Sequence, residues 1–279
     1  MADLNPLVQR YLKAWKLSDP QPLAQTATSH LYLVSSDGGS AVLKILTALG
    51  AEERIGALAL RYFDGHGAVR LLRSDDGAHL LEYAPGEDLT GLVTNGQDEA
   101  ATLIIADVIN ALHANEAAPP EGITSLHRWF QALFLQADQD RKRGLDTIFR
   151  RAAAIAETAL GQPLEPRVLH GDIHHENIRR SNRGWLAFDP KGLYGERAFD
   201  LANTLCNPRP DYGVAITDES RILRNAEILA GKCGIPKSRV LLFLYLYASL
   251  SASWMLEEAA ADGWEVAHIQ IAEIAERHL

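Results

Sequence analysis

One stretch constrains this chain more than any other: Arg167–Ile178, which contains the run His-Gly-Asp-Ile-His-His-Glu-Asn. It carries an acid at Asp172 and an amide at Asn177, and a second acid, Asp189, closes the next apolar run. Phosphoryl transfer uses such groups: one carboxylate meets the acceptor hydroxyl, while an amide and a second carboxylate hold magnesium on the nucleotide phosphates. The spacing therefore predicts the catalytic loop of a phosphotransferase.

The other parts of a phosphoryl-transfer site follow in the expected order along the chain. Lys44 lies within the apolar run Ala41–Leu46, and Glu52 and Glu53 open a helical pattern after it. A strand lysine neutralises phosphate oxygens, and a helix glutamate keeps its ammonium directed inward. Each feature alone has an ordinary explanation, because a strand lysine can extend to solvent and acids favour a helix N-terminus. Their combination with the catalytic loop favours an enzyme that uses a nucleotide and magnesium.

The order of elements predicts an α+β fold of two parts. Residues 1–84 contain an amphipathic helix, two strands around a Ser-Asp-Gly-Gly turn, a second helix and two further strands. Residues 85–279 begin at a Pro-Gly break and are mainly helical, apart from the catalytic loop and a short hairpin. We expect a small β-rich N-lobe, a larger helical C-lobe and a nucleotide-binding cleft between them.

Composition and charge exclude several classes of partner. The net charge is −9 without a basic run, so the chain is a poor candidate for binding nucleic acid. The most apolar segment, Val240–Leu256, contains three serines and is typical of a buried core helix rather than a membrane span. With no secretory signal pattern and two cysteines, we expect a cytoplasmic protein without disulfides, for which a monomer is plausible.

These residues resemble the aminoglycoside phosphotransferase branch of the protein-kinase-like fold, and within it the streptomycin 6-kinase (aminoglycoside/hydroxyurea resistance kinase) family. The segments that carry the resemblance are Gly67–Leu72, Leu81–Ala84, His170–Ile178 and Arg183–Leu186. The similarity runs from about residue 24 to the C-terminus, and the catalytic-loop segment is its most specific part. It implies a bilobal kinase-like fold and an ATP- and Mg²⁺-dependent enzyme that phosphorylates a hydroxyl of an aminoglycoside, streptomycin above all, and confers resistance.

The resemblance also implies a role for each central residue. Asp172 is expected to be the catalytic base, Asn177 and Asp189 the magnesium ligands, and Lys44 the lysine on the phosphates. Glu53, rather than its neighbour, takes the place of the family's helix glutamate. The resemblance thus implies a role for each residue expected to contact the phosphates, the metal ion or the acceptor hydroxyl.

Supporting roles are implied for a second set of residues. Backbone groups of Glu82 and Ala84 are expected to bind adenine. Asp200 matches an acid that accepts backbone N–H groups of the catalytic loop, and we interpret His170 as a packed structural residue. Ser29 is a candidate for contact with the phosphates.

The sequence departs from protein kinases at three positions. The place of the glycine-rich phosphate loop is taken by Thr26–His30, which contains no glycine. Gly171 stands where protein kinases have an arginine before the catalytic aspartate, and Pro190-Lys191 stands in place of Phe-Gly. These differences favour a small-molecule kinase that is always active.

A metal cluster of the metallohydrolase kind is an alternative explanation of the central stretch, with five candidate ligands. They are His170, Asp172, His174, His175 and Glu176. Adjacent residues of an extended loop point in different directions, so at most two or three of them could converge on one ion. This hypothesis also leaves Lys44 and Asp189 without a task, and we regard it as the weaker one. His174 is then a candidate support of the loop, and His175 has no assigned role.

The acceptor is expected to be a cationic, hydroxylated small molecule. The last forty residues hold six acids and one base, and carboxylates suit the guanidinium groups of streptomycin. The candidate acceptor-binding residues are Asp211, Trp254, Glu257 and Glu258, although each could equally lie on a solvated helix face. Two other hypotheses remain open: a kinase for choline, a sugar or an amino-sugar, and a nucleotide-binding pseudokinase without activity.

Overall fold

The computed structural model of the chain describes residues 5–50, 53–257 and 264–279. A five-stranded sheet and two helices make up the first part of the chain, and the rest is mainly helical with two small sheets. This agrees with the predicted α+β architecture, in which a β-rich part precedes a larger helical part.

The strands form three sheets. They are β1 (Ser18–Gln25), β2 (Ser29–Ser36), β3 (Gly39–Leu46), β4 (Leu71–Ser74), β5 (Ala78–Glu82), β6 (Thr124–Ser125), β7 (Pro166–Leu169), β8 (Ile178–Ser181), β9 (Gly184–Ala187) and β10 (Leu193–Glu196). The first sheet is antiparallel with the order β1-β2-β3-β5-β4. The second has the order β6-β10-β7, and the third is the hairpin β8-β9.

The described part of the chain contains two helices before residue 85 and is mainly helical after it, as predicted. The helices are α1 (Pro6–Trp15), α2 (Glu53–Phe63), α3 (Thr90–Thr94), α4 (Asp98–Leu112), α5 (Leu126–Trp129), α6 (Gln131–Lys142), α7 (Ile148–Gly161), α8 (Phe199–Leu205), α9 (Glu219–Cys233), α10 (Lys237–Glu257) and α11 (Trp264–Glu276). Helix α9 shows why its bounds could be predicted. Asp218 caps its N-terminus by accepting a hydrogen bond from the Ser220 amide, and Gly234 ends it in the left-handed conformation.

Strand β1 is an element that the sequence analysis did not predict. Its sequence contains Pro20 and Pro22 and lacks an alternating apolar pattern. Because proline cannot donate a ladder hydrogen bond, it is tolerated in edge strands, and β1 lies at the edge of the sheet beside β2. The turn between β1 and β2, residues 26–28, therefore takes the position expected of a phosphate-binding loop.

Two apolar cores support the site. The smaller core packs α1 against the sheet through residues such as Val8 and Leu43. The larger core contains Leu60 and Phe63 of α2 together with residues of the C-terminal helices. Helix α2, which begins at Glu53, is thereby packed against the helical part of the chain.

Helix α10 lies at the centre of the larger core, where Phe243, Leu244 and Tyr245 are fully buried. Among the described helices it is the one that is long and apolar enough to cross a membrane, over Lys237–Leu256, and 72% of that window is buried inside the protein. The prediction of a buried core helix for this segment is confirmed.

The pairing of β7 with β10 brings the two acid-bearing loops together. Leu169 at the end of β7 lies opposite Leu193 at the start of β10. The loop that follows β7 contains Asp172, and the segment that precedes β10 contains Asp189 and Lys191. A short 3-10 helix, His175–Asn177, then leads from the first loop into β8.

Candidate active site

Asp172 follows a glycine whose backbone no other residue adopts easily. Gly171 has φ +82°, and a Cβ added there would lie 2.8 Å from Cδ1 of Leu193. A side chain at this position would be both strained and in collision with β10. The absence of the protein-kinase arginine before Asp172 therefore has a steric cause.

Among the described residues, three polar side chains lie within hydrogen-bonding range of the Asp172 carboxylate. Asn203 Nδ2 donates to Oδ1 at 2.9 Å, and Asn177 Nδ2 donates to Oδ2 at 3.3 Å. The ammonium of Lys191 lies 3.4 Å from Oδ2, and a quarter of the Asp172 side chain, 25%, is exposed. Two amides and one ammonium thus orient a carboxylate that remains accessible to an incoming hydroxyl.

Asn177 and Asp189 have the chemistry of a magnesium site. Asn177 also donates from Nδ2 to the Asp172 carbonyl at 3.0 Å, while within the described part of the chain its Oδ1 has no hydrogen-bond partner. The Asp189 side chain is 35% exposed. An amide oxygen and a carboxylate are hard donors of the kind that Mg²⁺ prefers, so these two residues fit the ion.

Lys44 joins the two sides of the cleft. Its Nζ lies 2.5 Å from Oε2 of Glu53 at the start of α2, and it also contacts Oδ1 of Asp189. Burial alone would raise the pKa of Asp189, but the ammonium groups of Lys44 and Lys191 outweigh it and lower that pKa. Asp189 is therefore ionised at neutral pH. Its φ of 62° is unusual for a residue other than glycine, a strain typical of functional sites.

The predicted lysine partner Glu53 is in contact with Lys44, whereas the alternative, Glu52, lies outside the described residues. The close packing of α2 on the Asp189 segment explains this contact. A Cβ at Gly56 would lie 2.2 Å from the Pro190 carbonyl oxygen, so only glycine allows α2 to approach so closely.

A cleft of about 410 Å³ lies beside Lys44, Glu53 and Asp189. Leu81 and Phe188 line its apolar part, and its remaining lining residues are Ala24, Thr26, Thr28, Ser29, Leu31, Pro190 and Lys191. These surroundings combine an apolar surface with charged groups at one end, as a nucleotide site requires.

The β1–β2 turn borders this cleft and contains no glycine. Thr28 Oγ1 donates to Glu53 Oε1 at 2.7 Å, which ties the turn to the lysine partner. Ser29 is buried, its amide donates to Thr26 Oγ1 at 3.0 Å, and its hydroxyl lies 3.2 Å from the same atom. The hydroxyls of the turn are thus engaged within the protein, and Ser29 lines the cleft as part of this network.

Of the two residues expected to bind adenine, Glu82 ends β5 and Ala84 lies two residues beyond it. The Glu82 amide donates to the Arg70 carbonyl at 2.9 Å and is therefore already paired. The side chain of Glu82 forms a salt bridge with Arg183 at 2.6 Å. Ala84 makes no backbone hydrogen bond with another described residue.

Asp200 lies under the catalytic loop and accepts two of its backbone amides, from His170 at 2.9 Å and from Gly171 at 2.7 Å. His113 contacts the same carboxylate at 2.9 Å. Burial opposes ionisation of Asp200, but the hydrogen bond and the charge of His113 lower its pKa. Asp200 is therefore an anion that holds the backbone of the catalytic loop in place.

His170 connects the two acid-bearing loops. Its ring is fully buried, Nδ1 accepts from the Asp172 amide at 3.3 Å, and Nε2 donates to the Phe188 carbonyl at 3.1 Å. Its own carbonyl accepts from the Lys191 amide at 2.7 Å. Burial lowers the pKa of His170, so the ring is neutral and bridges the loops by hydrogen bonds alone.

The other histidines do not form a metal centre. His174 lies 3.9 Å from Asp172 and 3.7 Å from Glu176, which is loose for a ligand set. His175 is buried, neither of its ring nitrogens has a hydrogen-bond partner among the described residues, and burial lowers its pKa to about 3. Across residues 5–50, 53–257 and 264–279, no three His, Cys, Asp or Glu side chains are arranged to bind a metal ion.

Sequence analysis missed a polar network behind Asp172. Asn203 receives a hydrogen bond on Oδ1 from the Tyr247 hydroxyl at 2.7 Å, and Asn207 donates to the same oxygen at 2.9 Å. Arg221 donates to the Asn207 carbonyl at 3.0 Å and forms a bidentate pair with Asp98, at 2.8 and 2.9 Å. The signal in the sequence was spacing, because Asn203 lies one helical turn after Asp200 on the same face.

A second cavity, of about 990 Å³, is lined in part by Lys191 and by one of the candidate acceptor residues. Trp254 lines it and packs edge-on against Trp129, with ring centroids 5.5 Å apart. Its described lining carries Arg128 and Lys191 and no acid, which is not the acid-lined pocket that the sequence suggested.

Of the other candidate acceptor residues, the side chain of Asp211 alone is described. Asp211 does not line this cavity; it is exposed and lies 3.8 Å from Arg209. Glu257 ends α10, but its side chain, like the whole of Glu258, lies outside what the structure describes.

Comparison with known proteins gives the relatives of this chain. The sequence profile of the aminoglycoside/hydroxyurea antibiotic resistance kinases matches residues 14–259. A streptomycin 3″-kinase from Klebsiella pneumoniae is 36% identical over 250 residues, which cover 88% of this chain and 91% of that protein. A streptomycin 6-kinase from Streptomyces glaucescens is 31% identical over 270 residues, covering 94% and 86%.

The fold has counterparts among solved structures. The aminoglycoside phosphotransferase APH(4)-Ia, in a ternary complex with AMP-PNP and hygromycin B, superposes with a TM-score of 0.66 at 13% identity, covering 98% of this chain and 99% of that chain. This likeness confirms the predicted kinase-like fold. With the profile match over most of its length, the chain belongs to the aminoglycoside/hydroxyurea antibiotic resistance kinase family and is a phosphotransferase, as its catalytic loop predicted.

Proposed function

We propose that this enzyme transfers the γ-phosphoryl group of ATP to a hydroxyl of an aminoglycoside, streptomycin first of all, with Mg²⁺ as its cofactor, in the cytoplasm. The observation that supports this most is the contact of Lys44 with both Glu53 and Asp189. One ammonium there links the helix acid to the metal-binding acid inside the cleft of about 410 Å³. Modification of the drug would then confer resistance.

In this proposal the nucleotide lies in that cleft with its phosphates toward Lys44. The ammonium neutralises phosphate oxygens, and Glu53 holds it in place. The Glu82 carbonyl and the Ala84 amide bind the edge of adenine, while Leu81 packs against its face. Because the backbone contacts carry most of this recognition, the side chain of Glu82 is free to pair with Arg183.

Asn177 and Asp189 would hold Mg²⁺, which when bound neutralises charge on the β- and γ-phosphate oxygens. Asp189 is suited to this role because its pKa is lowered, so it is a carboxylate whenever the enzyme is at neutral pH. Asn177 serves two partners at once: its Nδ2 donates to Asp172, and its Oδ1 remains for the ion.

Asp172 orients the acceptor and receives its proton. The acceptor oxygen forms a bond to the γ-phosphorus while the bond from that phosphorus to the bridging oxygen breaks, so ADP leaves and the hydroxyl proton passes to Asp172. The hydrogen bond from Asn203 and the ammonium of Lys191 keep the carboxylate aimed at the acceptor.

A cationic acceptor is supported by acids beside the catalytic loop. The Tyr212 hydroxyl donates to Glu176 at 3.0 Å. Burial, Glu176, Asp88 and Asp211 together raise the pKa of Tyr212, so three carboxylates lie around this one ring. Guanidinium groups pair with carboxylates in a bidentate manner, which suits streptomycin. Glu257 and Glu258, which follow Trp254 in the sequence, belong to the proposal as further candidate carboxylates.

The names of two relatives give different phosphorylation positions on streptomycin, 3″ and 6, and the description of the family also names hydroxyurea. The acceptor test must therefore be broad. Purified enzyme is incubated with ATP and Mg²⁺ and, in separate reactions, with streptomycin, other aminoglycosides, hydroxyurea, choline and amino-sugars, and the products are analysed by mass spectrometry.

We expect a singly phosphorylated streptomycin, and NMR of the product then identifies the hydroxyl. Expression in a sensitive host should raise the inhibitory concentration of streptomycin. Phosphorylation of choline or an amino-sugar alone, with unchanged drug sensitivity, would replace the proposed substrate by a metabolite alcohol. Nucleotide binding without turnover of any acceptor would instead identify a pseudokinase.

A further inference from the structure

Lys191 reaches the reacting end of the site from the segment after Asp189. Its Nζ lies 3.4 Å from Oδ2 of Asp172. The backbone around it is fixed: the Lys191 amide donates to the His170 carbonyl at 2.7 Å. At Gly192 an added Cβ would lie 2.6 Å from the Ile55 carbonyl oxygen, so α2 packs directly on this segment. The ammonium is therefore held beside Asp172 by a rigid support.

Lys191 lies where two cavities meet. One is the cleft of about 410 Å³ that contains Lys44, and the other is the cavity of about 990 Å³ that contains Trp254. Among their described lining residues, Lys191 is the one that lines both. A phosphoryl group that moves from a nucleotide in the first cavity to an acceptor hydroxyl at Asp172 would pass close to this side chain, because Lys191 lines the first cavity and also contacts Asp172.

The ammonium of Lys191 has capacity for further partners. An ammonium has three N–H donors, and the one described carboxylate in hydrogen-bonding range of Lys191 is that of Asp172. Lys44, by contrast, is already shared between Glu53 and Asp189. The Lys191 side chain is 37% exposed and lines both cavities, so its remaining donors are accessible to a ligand.

A positive charge is needed at this point of the site. The oxygens of the phosphoryl group carry negative charge, and the nearby carboxylate oxygens of Asp172 would repel them. An ammonium placed between the two relieves that repulsion, and it does so most strongly while charge develops in the transition state.

We propose that Lys191 is a catalytic residue, whose ammonium donates hydrogen bonds to the oxygens of the phosphoryl group during its transfer. This rests on the proposed phosphotransfer, but not on streptomycin as the acceptor. The bonds that form and break are those already described, and Lys191 neither gains nor loses a proton. Because its contact with the phosphoryl group strengthens in the transition state, its loss falls on kcat rather than on nucleotide affinity.

The first test is kinetic. In Lys191→Met we expect kcat to fall by about 10²- to 10³-fold, with the KM for ATP and the Tm nearly unchanged, and Lys191→Arg should retain part of the activity because it keeps the charge. Lys13→Met, at an exposed position of α1, is the matched control and should be unchanged. A kcat within about threefold of wild type in Lys191→Met would overturn the proposal.

The second test measures binding without turnover. ADP with Mg²⁺ and aluminium fluoride mimics the planar phosphoryl group, so its affinity reports on contacts made in the transition state. By calorimetry, Lys191→Met should bind this complex at least about tenfold more weakly, and bind ADP alone as wild type does. Equal affinity for the complex, or an equal loss for both ligands, would identify a merely structural ion pair with Asp172.

The third test restores the charge chemically. Lys191→Cys is treated with 2-bromoethylamine, which attaches an aminoethyl group to the introduced thiol and returns an ammonium close to its natural position. Cys206 and Cys233 are buried and burial raises the pKa of both thiols, so they are protected, and wild type treated in the same way is the control. Recovery of activity supports the proposal, and its absence after complete alkylation contradicts it.

Failure of the acceptor proposal can be told apart from failure of this one. If wild type phosphorylates no aminoglycoside, the same variants are compared by their slow hydrolysis of ATP, in which water is the acceptor. Loss of hydrolysis in Lys191→Met and its recovery after alkylation would still assign the residue, whereas equal hydrolysis would reject it.

Discussion

The amide nitrogen of Asn203 donates a hydrogen bond of 2.9 Å to Oδ1 of Asp172, from the first turns of α8. The same helix carries Asp200, whose carboxylate accepts the backbone amides of His170 and Gly171. One short helix therefore fixes both the backbone and the side chain of the catalytic loop.

Asn203→Ala should lower kcat by about 10- to 100-fold, because the Asp172 carboxylate loses its orientation although its charge remains. The KM for ATP should change little. Tyr247→Phe is the matched control: it removes the hydroxyl bonded to Asn203 at 2.7 Å but leaves the contact with Asp172, so its effect on kcat should be smaller. Steady-state kinetics of both variants checks this order, and an unchanged kcat in Asn203→Ala would contradict it.

Glu53→Gln should weaken nucleotide binding. The carboxylate is 2.5 Å from Lys44 and receives the Thr28 hydroxyl at 2.7 Å, so a neutral amide loosens both the lysine and the β1–β2 turn. We expect the KM for ATP to rise by about tenfold, the size of one lost charge-assisted contact. Titration with a fluorescent ATP analogue measures the effect directly, and wild-type affinity in the variant would remove Glu53 from the site.

Gly171→Ala should destabilise the protein by at least about 1 kcal/mol, because an L side chain is strained at φ +82° and its Cβ would lie 2.8 Å from Leu193. Gly231→Ala is the control. That glycine lies inside α9, where an added Cβ meets nothing within 4 Å, so alanine should stabilise the helix by up to about 1 kcal/mol. Denaturant unfolding of the two variants should move the midpoint in opposite directions.

His79 should make stability depend on pH. Its ring is buried on β5 opposite Lys44, and burial together with the Lys44 charge lowers its pKa below the ordinary value of 6.5. The neutral ring is favoured in the folded state, so its contribution is complete above pH 6.5 and is lost as the pH falls below it, by up to about 1.4 kcal/mol per pH unit.

Replacement of His79 by leucine should therefore reduce the slope of the unfolding free energy against pH between about pH 6.5 and pH 5, by up to one proton. Burial also lowers the pKa values of His170 and His175, so these two residues account for the pH dependence that remains in the variant. Urea unfolding at a series of pH values measures it. A slope equal to that of wild type would show that protonation of His79 does not lower the free energy of unfolding.

Much of the fold could be predicted because local patterns decide it. The apolar stripe of α4 and the cap and end signals of α9 follow from residues adjacent in sequence. Strand β1 could not be predicted, since it is exposed, carries two prolines and exists only because β2 offers it an edge. Its pairing is a tertiary effect that no local pattern records.

The same division holds for the site. Asp172, Asn177 and Asp189 stand at a spacing that the chemistry requires, so they could be named as candidates from the sequence. Asn203 and Lys191 contact Asp172 only because of how α8 and the segment before β10 pack on its loop, so no local pattern indicates them. The acceptor-binding residues stay predictions: Trp254 lines a cavity whose described lining carries no acid, and the Glu257 side chain and Glu258 lie outside the described residues.

The most direct measurement of the central claim is the product formed from streptomycin, ATP and Mg²⁺ by wild type and by Asp172→Asn at equal enzyme concentration. Wild type should yield phosphorylated streptomycin and ADP in equal amounts, and Asp172→Asn should yield essentially none while binding ADP as tightly. Phosphorylated streptomycin formed by Asp172→Asn at the wild-type rate would contradict the assignment of Asp172 as the base.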